Sequence, residues 1–304
     1  MENAPQFWRD YFDFLPILNK AVKWEPLRQW SLSEVWRIEM PDGNTMIAKI
    51  GKEINSGEVS IYKKLLIPFE LNVPAIYNVY EDNKIGALIM EDLKGQTIEE
   101  SPQFISFVKA AQTLSNIRKK ARVALTEGKL TNKDYLSYLV SKKDVLNDLT
   151  YINQQTHIEI APHVLKKALE ELPKHLNRLY KEFPITLTHN DYHPKNLLIH
   201  DEELTVIDWS SAYISPHLGD LYCLITSAKD YNISPTALIT VFCENTDENW
   251  ARDIEWQINI GGICWTIHVV RWLLDYGLKA IPIASEWIPD LVLNIGNLIE
   301  DLSY

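Results

Sequence analysis

The chain contains the stretch Thr188-His189-Asn190-Asp191-Tyr192-His193-Pro194-Lys195-Asn196-Leu197-Leu198-Ile199, and after a polar turn it continues as Leu204-Thr205-Val206-Ile207-Asp208-Trp209. Apolar runs bounded by polar turns are typical of β-strands, and such runs enter and leave the polar part of this stretch. The pattern predicts a loop that carries Asp191 and Asn196, and a hairpin whose second strand ends at Asp208. We expect these three side chains to converge on one spot.

The spacing of the three side chains matches a catalytic arrangement. Phosphoryl transfer uses a divalent metal held by oxygen ligands and a carboxylate aimed at the attacking hydroxyl group. His-x-Asp, an Asn five residues after that Asp, and a second Asp about a dozen residues later form the catalytic loop and metal site of kinases. Asp191 is therefore the candidate catalytic residue, and Asn196 and Asp208 are the candidate metal ligands.

The complete motif closely resembles that of the aminoglycoside phosphotransferase and choline kinase superfamily, which are small-molecule relatives of the protein kinases. Trp209 stands where protein kinases carry Phe-Gly, and it favours the small-molecule group. The resemblance implies a two-lobed, protein-kinase-like α+β fold with a small antiparallel-sheet lobe and a larger, mainly helical lobe. Residues 1–91 would bind the nucleotide, and residues 92–304 would carry catalysis and bind the acceptor. The resemblance also implies that the protein uses Mg²⁺ and that ATP or GTP is the phosphoryl donor.

A lysine stands inside the apolar run Met46-Ile47-Ala48-Lys49-Ile50. An ammonium group is unfavourable to bury without a partner, so we expect an anion beside Lys49. The resemblance implies that Lys49 contacts the α- and β-phosphates and that Glu58, on a helix predicted over residues 56–66, orients it. Taken alone, the two residues would be an edge-strand lysine and a solvated helix residue.

Two further segments are candidates for nucleotide binding. The run Leu88-Ile89-Met90-Glu91-Asp92-Leu93 resembles the hinge of the superfamily, in which backbone groups of Met90, Glu91 and Asp92 would hold adenine. Its plain alternative is an edge strand that runs into a polar turn. The segment Gln29-Trp30-Ser31-Leu32-Ser33-Glu34 lacks the glycines that cover the phosphates in these kinases, and Ser31 and Ser33 are the candidate replacements.

Periodicity predicts the remaining elements. Residues 5–20 mix aromatic and aliphatic side chains and should pack against the first lobe, and strands are expected over residues 32–40, 45–50, 73–80 and 85–90. Helices are predicted over residues 104–123, 133–149, 162–181, 235–243, 248–279 and 285–302. In the resemblance Asp220 cages the catalytic loop by hydrogen bonds, whereas an ordinary carboxylate at a helix N-terminus is the alternative.

Composition narrows the class of protein. The 304 residues are 46% hydrophobic, which is ample for a packed core, and the net charge of −11 argues against a nucleic-acid partner.

The N-terminus has no basic segment followed by an apolar one, and the longest apolar stretch, residues 258–270, is too short to span a bilayer. Cys223, Cys243 and Cys264 lack metal spacing and fit buried, reduced thiols. We expect a cytoplasmic protein with no membrane partner.

The acidity lies in the C-terminal third. Residues 201–304 contain sixteen acidic and four basic residues, while the whole chain carries −11. Since clefts of one charge attract ligands of the other, this asymmetry predicts a cationic small-molecule acceptor. The candidate wall residues are Asp230, Asp247, Glu248, Asp253, Glu255 and Asp275, although solvated faces are an equal alternative.

Other functions stay open from the sequence. A choline, ethanolamine or sugar kinase would differ only in its acceptor pocket. A catalytically silent, kinase-like binding protein is favoured by the missing glycines and opposed by the complete Asp191, Asn196 and Asp208 set. A metallohydrolase built on His189, Asp191, His193 and Asp208 is disfavoured by Pro194 and by the missing third histidine. No Rossmann or P-loop glycine motif occurs in the chain.

Overall fold

The computed structural model describes residues 4–155, 162–281 and 283–302, which divide into two compact units. One unit comprises Met1–Ser101 and Lys195–Ser211, and the other comprises Pro102–Pro194 and Ala212–Tyr304. The first is built on an antiparallel sheet and the larger second one on helices, as predicted. The functional division at residue 91 stays a prediction, because compactness does not tell which residues bind nucleotide or acceptor.

Strands occur mainly in the first unit. They are β1 Lys23–Gln29, β2 Ser33–Glu39, β3 Thr45–Lys52, β4 Ile76–Glu81, β5 Ile85–Glu91, β6 Gln96–Thr97, β7 Thr186–Thr188, β8 Leu197–His200, β9 Glu203–Val206 and β10 Tyr213–Ser215. Among the described residues, β1-β2-β3-β5-β4 form one sheet whose neighbours are all antiparallel, and β6-β8-β9 form a second. The β8–β9 hairpin thus belongs to the sheet unit.

Alternation along β2 and β3 gives the main sheet two different faces, because successive side chains of a strand point to opposite sides. Trp36 and Ile38 of β2 and Ala48 and Ile50 of β3 are buried in one core cluster. The N-terminal segment covers this face with Trp8, Phe12, Leu15 and Leu18, which confirms its predicted packing role. The residues between them in sequence lie on the opposite face, where a cavity is found.

Strand β1 was not predicted, because its sequence shows no alternation of apolar and polar residues. Its side chains are mostly exposed, since it is an edge strand. Pro26 is tolerated there because an edge strand has one unpaired side. The register against β2 shifts between Pro26 and Arg28, which marks a β-bulge at Leu27.

Helices make up most of the second unit. The helices of the chain are α1 Gln6–Arg9, α2 Glu58–Ile61, α3 Phe104–Thr126, α4 Asn132–Tyr138, α5 Lys142–Asn153, α6 Pro162–Glu182, α7 Gly219–Asp230, α8 Pro235–Glu244, α9 Glu248–Ala251, α10 Ile254–Trp272, α11 Leu278–Ala280 and α12 Ala284–Asp301. Short 3₁₀ turns span Pro16–Lys20, Glu53–Gly57 and Pro194–Asn196, and π-helical turns span Tyr62–Leu66 and Leu273–Gly277. Side chains of α5, α6, α10 and α12 form the main core of this unit.

Two predicted helices are broken in the structure. The segment 133–149 divides into α4 and α5, because Leu139 bridges to Ile214 and Ser141 starts α5 with a capping box. The segment 248–279 is interrupted after α9, where Asp253 adopts a left-handed backbone with φ of 50°. Both interruptions depend on contacts or backbone angles that helical periodicity does not contain.

The two short strands β7 and β10 pair antiparallel. In sequence they flank the segment from His189 to Trp209, which carries Asp191, Asn196 and Asp208 and is called the central motif below.

Among the helices that the structure describes, every one is too short or too polar to cross a membrane. Cys223 and Cys264 are buried and Cys243 is partly exposed, and all three are free thiols.

Gly261 of α10 lies against the start of α7, and we predict that it cannot be enlarged. A methyl group there would lie 2.5 Å from the carbonyl carbon of Leu218 and 2.7 Å from the backbone nitrogen of Gly219. We expect Gly261→Ala to lower the free energy of unfolding by about 1–3 kcal/mol in urea titrations, because overpacking against backbone outweighs the better helix propensity of alanine. Gly57→Ala is the control, since its added methyl group meets nothing within 4 Å. Equal stability of the two variants would contradict the prediction.

Candidate functional site

A cavity of about 320 Å³ lies within the sheet unit. Apolar residues line part of it: Val35, Ile47, Met90, Leu198 and Ile207. The rest of the lining includes the polar residues Lys49, Glu58, Asn196 and Asp208. Most residues that the sequence assigned to nucleotide and metal therefore meet at one concave surface, the usual setting of a small-molecule site.

Lys49 is the charged centre of the cavity lining. Its Nζ lies 2.6 Å from Glu58 Oε2 and 2.8 Å from Asp208 Oδ1, and only 10% of its side chain is exposed. The prediction of an anionic partner is confirmed, with two carboxylates instead of one. Burial alone lowers the pKa of Lys49, but the charges of Asp208 and Glu58 outweigh it, so the pKa lies above its usual value. Lys49 is therefore an ammonium ion at neutral pH.

Glu58 is held from both ends of its carboxylate. Oε2 pairs with Lys49, and Oε1 accepts a hydrogen bond from the backbone N–H of Trp209 at 3.1 Å. Burial raises the pKa of Glu58, and the negative charge of Asp208 adds to the rise while Lys49 opposes it. The indole of Trp209 is fully buried and donates to the carbonyl oxygen of Val206 at 2.9 Å. Glu58 thus orients Lys49 and anchors the segment after β9.

The β8–β9 hairpin positions the two candidate metal ligands. Asn196 ends the turn before β8, and its carbonyl oxygen accepts a hydrogen bond from the N–H of Ile207 at 3.0 Å. Asp208 follows with a left-handed backbone, φ of 62°, which turns the chain away from the strand direction. Ser210 Oγ donates to Asp208 Oδ1 at 3.2 Å.

The donor set of Asn196 and Asp208 fits Mg²⁺, which prefers one or two carboxylates with further oxygen ligands. By contrast, no three His, Cys, Asp or Glu side chains in the described part of the chain are grouped so that they could hold a metal ion. The metallohydrolase alternative therefore lacks a ligand set in those residues.

The candidate hinge overlaps the end of β5, since Met90 and Glu91 are its last two residues and Asp92 follows it. Met90 pairs with Ile47 on one side and Ile76 on the other, and the N–H of Glu91 donates to Ala75 O at 2.8 Å. These backbone contacts fix the end of β5 beside the cavity.

The side chain of Asp92 has a structural task of its own. It accepts hydrogen bonds from Arg37 Nε at 2.6 Å and Thr45 Oγ1 at 2.7 Å. Burial raises the pKa of Asp92, but the hydrogen bonds from Arg37 and Thr45 outweigh it, and the pKa lies below the usual value. The sequence did not identify the Arg37–Asp92 pair, because 55 residues separate its members and no motif links them.

The loop between β1 and β2 is tight. The N–H of Trp30 donates to the carbonyl oxygen of Ser33 at 2.9 Å. Ser33 is buried and Ser31 is exposed, and neither belongs to the cavity lining. Their contact with phosphates stays a prediction.

The candidate catalytic loop around Asp191 lies in the helical unit, where Asp220 of α7 fixes its backbone. Asp220 Oδ2 accepts from His189 N at 2.7 Å and Oδ1 from Asn190 N at 2.8 Å, so the caging role is confirmed. Burial raises the pKa of Asp220, and the neighbouring imidazole and the two N–H groups only partly offset that rise. Trp265 Nε1 donates to Asn190 O at 3.2 Å, a contact that no sequence motif indicates.

Asp191 is partly exposed, and its N–H donates to His189 Nδ1 at 3.2 Å. His193 Nε2 lies 3.8 Å from Asp191 Oδ1, and His193 Nδ1 lies 3.0 Å from Ser227 Oγ. Asp191 belongs to the helical unit, whereas Asn196 and Asp208 belong to the sheet unit. The convergence of all three side chains therefore stays a prediction.

A buried polar network supports the candidate catalytic loop. His217 Nδ1 accepts from the N–H of Gly219 at 3.1 Å, so His217 Nε2 carries the proton and donates to Tyr213 Oη at 2.9 Å. The Tyr213 hydroxyl in turn donates to Asn190 Oδ1 at 3.1 Å. Arg118 donates to the carbonyl oxygens of Pro216 and His217, both at 3.0 Å. None of these partners forms a sequence motif.

Several acidic residues of the predicted acceptor wall are already engaged. Asp253 pairs with Arg178, and Asp275 Oδ2 lies 2.8 Å from Arg271 Nε. Asp247 caps α9 by accepting the N–H of Asn249 at 2.9 Å. At least three of the six candidate wall residues are therefore already engaged by groups within the protein.

Comparison with known proteins gives one family match and several solved structures with a similar fold. A family model described as the phosphotransferase enzyme family matches residues 58–255. No match is found among curated proteins. The fold is similar to that of a choline/ethanolamine kinase family protein from Mesorhizobium loti, with 15% identity, a TM-score of 0.69, and coverage of 97% of this chain and 95% of that one.

Two further solved structures share the fold. A thermostable mutant of aminoglycoside phosphotransferase APH(4)-Ia, in complex with ADP and hygromycin B, has 12% identity and a TM-score of 0.64 over 96% of this chain and 98% of that one. Amicoumacin kinase hAmiN, in complex with AMP-PNP, Ca²⁺ and Ami, has 14% identity and a TM-score of 0.64 over 97% and 96%. These similarities confirm the predicted protein-kinase-like α+β fold.

We predict that His217 makes stability depend on pH. An unfolded chain protonates histidine near pH 6.5, whereas burial, assisted by Arg118 and His268, lowers the pKa of His217 to about 3 in the folded protein. Between these values the unfolded state binds the additional proton, so the free energy of unfolding falls with falling pH by at most about 1.4 kcal/mol per unit for this residue.

Denaturant titrations from pH 7 to pH 5 test this prediction. His217→Gln should show a shallower fall in stability than the unaltered protein, while His163→Gln, at an exposed position, should keep the original slope. The same slope in both variants would show that His217 is protonated in the folded state as readily as in the unfolded one.

Proposed function

Since the chain belongs to the phosphotransferase enzyme family, we propose that it is a small-molecule kinase that transfers the γ-phosphoryl group of ATP or GTP to a hydroxyl group of a small cationic molecule. The observation that carries this proposal is the contact of Lys49 Nζ with both Glu58 and Asp208 in the lining of one cavity. A lysine that stays charged and an oxygen-ligand set beside it are the parts that phosphoryl transfer requires.

Each residue has a proposed task. Lys49, oriented by Glu58, binds the α- and β-phosphates, and backbone groups from Met90 to Asp92 hold the purine base. Asn196 and Asp208 hold Mg²⁺, which neutralises phosphate charge when bound. Ser31 and Ser33 remain candidates for covering the phosphates.

The reaction needs one proton acceptor. The oxygen of the acceptor hydroxyl bonds to the γ-phosphorus, the bond from that phosphorus to the β-phosphate oxygen breaks, and the hydroxyl proton passes to the Asp191 carboxylate. Because the transition state of phosphoryl transfer is loose, placement and charge neutralisation contribute more than base strength. The hydrogen bonds from His189 and Asn190 to Asp220 support this role, since they fix the backbone beside Asp191.

The proposed acceptor follows from charge. The C-terminal third has sixteen acidic and four basic residues, and a negatively charged cleft concentrates cations.

The proposed compartment is the cytoplasm, because the reaction consumes ATP or GTP. The three free thiols agree with this proposal.

A second candidate is a choline or ethanolamine kinase. The indole of Trp265 lies 5.6 Å from the ring of His193 and 6.0 Å from the ring of Tyr222, all in the unit that carries Asp191. Aromatic faces bind quaternary ammonium groups, so this cluster favours an acceptor with one charge.

A nucleotide-consumption screen tests the proposal. Aminoglycosides, amino alcohols, macrolides and sugars would be compared by kcat/KM at about 0.1 M and about 1 M salt, where the Debye length falls from about 10 Å to about 3 Å. We expect multiply charged acceptors to react fastest at low salt and to lose most at high salt. Asp191→Asn should lower kcat by about 10²-fold or more while nucleotide still binds. A neutral best substrate would exclude the cationic acceptor, and near-parental kcat in Asp191→Asn would exclude the catalytic role.

The metal ligands can be tested by binding. Calorimetry with Mg·AMP-PNP should show no measurable Mg²⁺-dependent binding in Asp208→Ala, because the charged ligand is lost, and weakened binding in Asn196→Ala, because a neutral one is lost. Exposed Asp201, in the turn of the same hairpin, provides the control Asp201→Ala. Unchanged affinity in Asp208→Ala would place the metal elsewhere.

A further inference from the structure

Arg28 is one of five cationic residues that line the cavity, with Arg37, Lys49, Lys94 and Lys195, and the sequence motifs did not include it. Its Nη1 lies 3.5 Å from Asp208 Oδ2, on the carboxylate whose other oxygen contacts Lys49. The Arg28 side chain is 50% exposed, whereas that of Lys49 is 10% exposed. The Asp208 carboxylate thus has one buried and one half-exposed cationic partner.

A β-bulge is what directs Arg28 to the cavity. In antiparallel sheets, residues paired across two strands share a face. Pro26 pairs with Trp36 on the core face, so the next residue, Leu27, faces the cavity, and an uninterrupted strand would return Arg28 to the core face. The extra residue at the bulge instead pairs Arg28 with Val35, which lines the cavity. Bulges commonly re-aim a side chain in this way.

The loop between β1 and β2 lacks the glycines that cover phosphates in these kinases, so a cation beside this loop would supply a phosphate contact that the loop does not. The N–H of Trp30 is used within the loop by the carbonyl oxygen of Ser33, and the side chain of Ser33 is buried. Neither Ser31 nor Ser33 reaches the cavity lining, whereas Arg28, just before the loop, does. A guanidinium group can replace several backbone N–H donors, because it presents five of its own and binds phosphate oxygens in pairs.

We propose that Arg28 is a phosphate-binding residue that takes the place of the missing glycine-rich loop and contacts the β- or γ-phosphate of the donor nucleotide. This inference rests on the proposed function. A phosphate oxygen competes with the Asp208 carboxylate for the guanidinium, and the exposed side chain of Arg28 can exchange one anion for the other. Arg28 then serves binding of the phosphates, and it makes no contribution to binding of the base.

Calorimetry with Mg·AMP-PNP and with adenosine separates these contributions. We expect Arg28→Gln to raise the Kd of Mg·AMP-PNP about tenfold or more, the scale of one hydrogen bond to a charged group, and to leave the Kd of adenosine within about twofold. Arg28→Lys should recover part of the loss, because it restores the charge without the paired donors. Lys23→Gln is the control, since it removes an exposed cation from the same strand outside the cavity lining.

The outcomes are distinguishable. An unchanged Kd for Mg·AMP-PNP in Arg28→Gln, with adenosine still bound, overturns the phosphate contact and leaves the proposed function intact. An equal loss for adenosine and Mg·AMP-PNP also overturns it, because the variant then disturbs the cavity as a whole. Failure of the unaltered protein to bind any nucleotide overturns the proposed function and this inference together.

Discussion

The buried ammonium group of Lys49 is the constraint on which the sheet unit depends. A charge this deeply buried persists only beside counter-ions, because desolvation without them is strongly unfavourable. Its counter-ions are Glu58 of α2, which is close to Lys49 in the chain, and Asp208 after β9, which is far from it. Ala48 and Ile50 on the same strand face the hydrophobic core. Strand β3 therefore contributes side chains both to the core of the unit and to the lining of its polar cavity.

The two ends of the central motif are fixed by the same kind of contact. In the sheet unit the carboxylate of Glu58 accepts the backbone N–H of Trp209, and in the helical unit the carboxylate of Asp220 accepts those of His189 and Asn190. Each is a buried carboxylate on a helix that holds a loop by its backbone. The backbone that leads into Asp191 is therefore held by a side chain of α7.

Sequence patterns predicted the structure best where the whole pattern lies within a short segment of the chain. The strands β2, β3 and β5 and the residues Lys49 and Glu58 were found because alternation and short motifs are contained within a few residues. The edge strand β1 and the break between α4 and α5 were not, because the first lacks a buried face and the second depends on a bridge between Leu139 and Ile214. The same limit applies to the site, where the partners of Asp92 and Asn190 stand 55 and 75 residues away in sequence.

The sheet unit is discontinuous in the chain, since Lys195–Ser211 joins Met1–Ser101 after a long helical segment has intervened. During synthesis from the N-terminus, the five-stranded sheet can form early, but Lys49 has only Glu58 as a counter-ion until the β8–β9 hairpin leaves the ribosome. The nascent sheet therefore exposes an incomplete ion cluster while the intervening helices are being made. The cavity can therefore be completed only after residues 195–211 have been synthesised, long after the strands that form its other side.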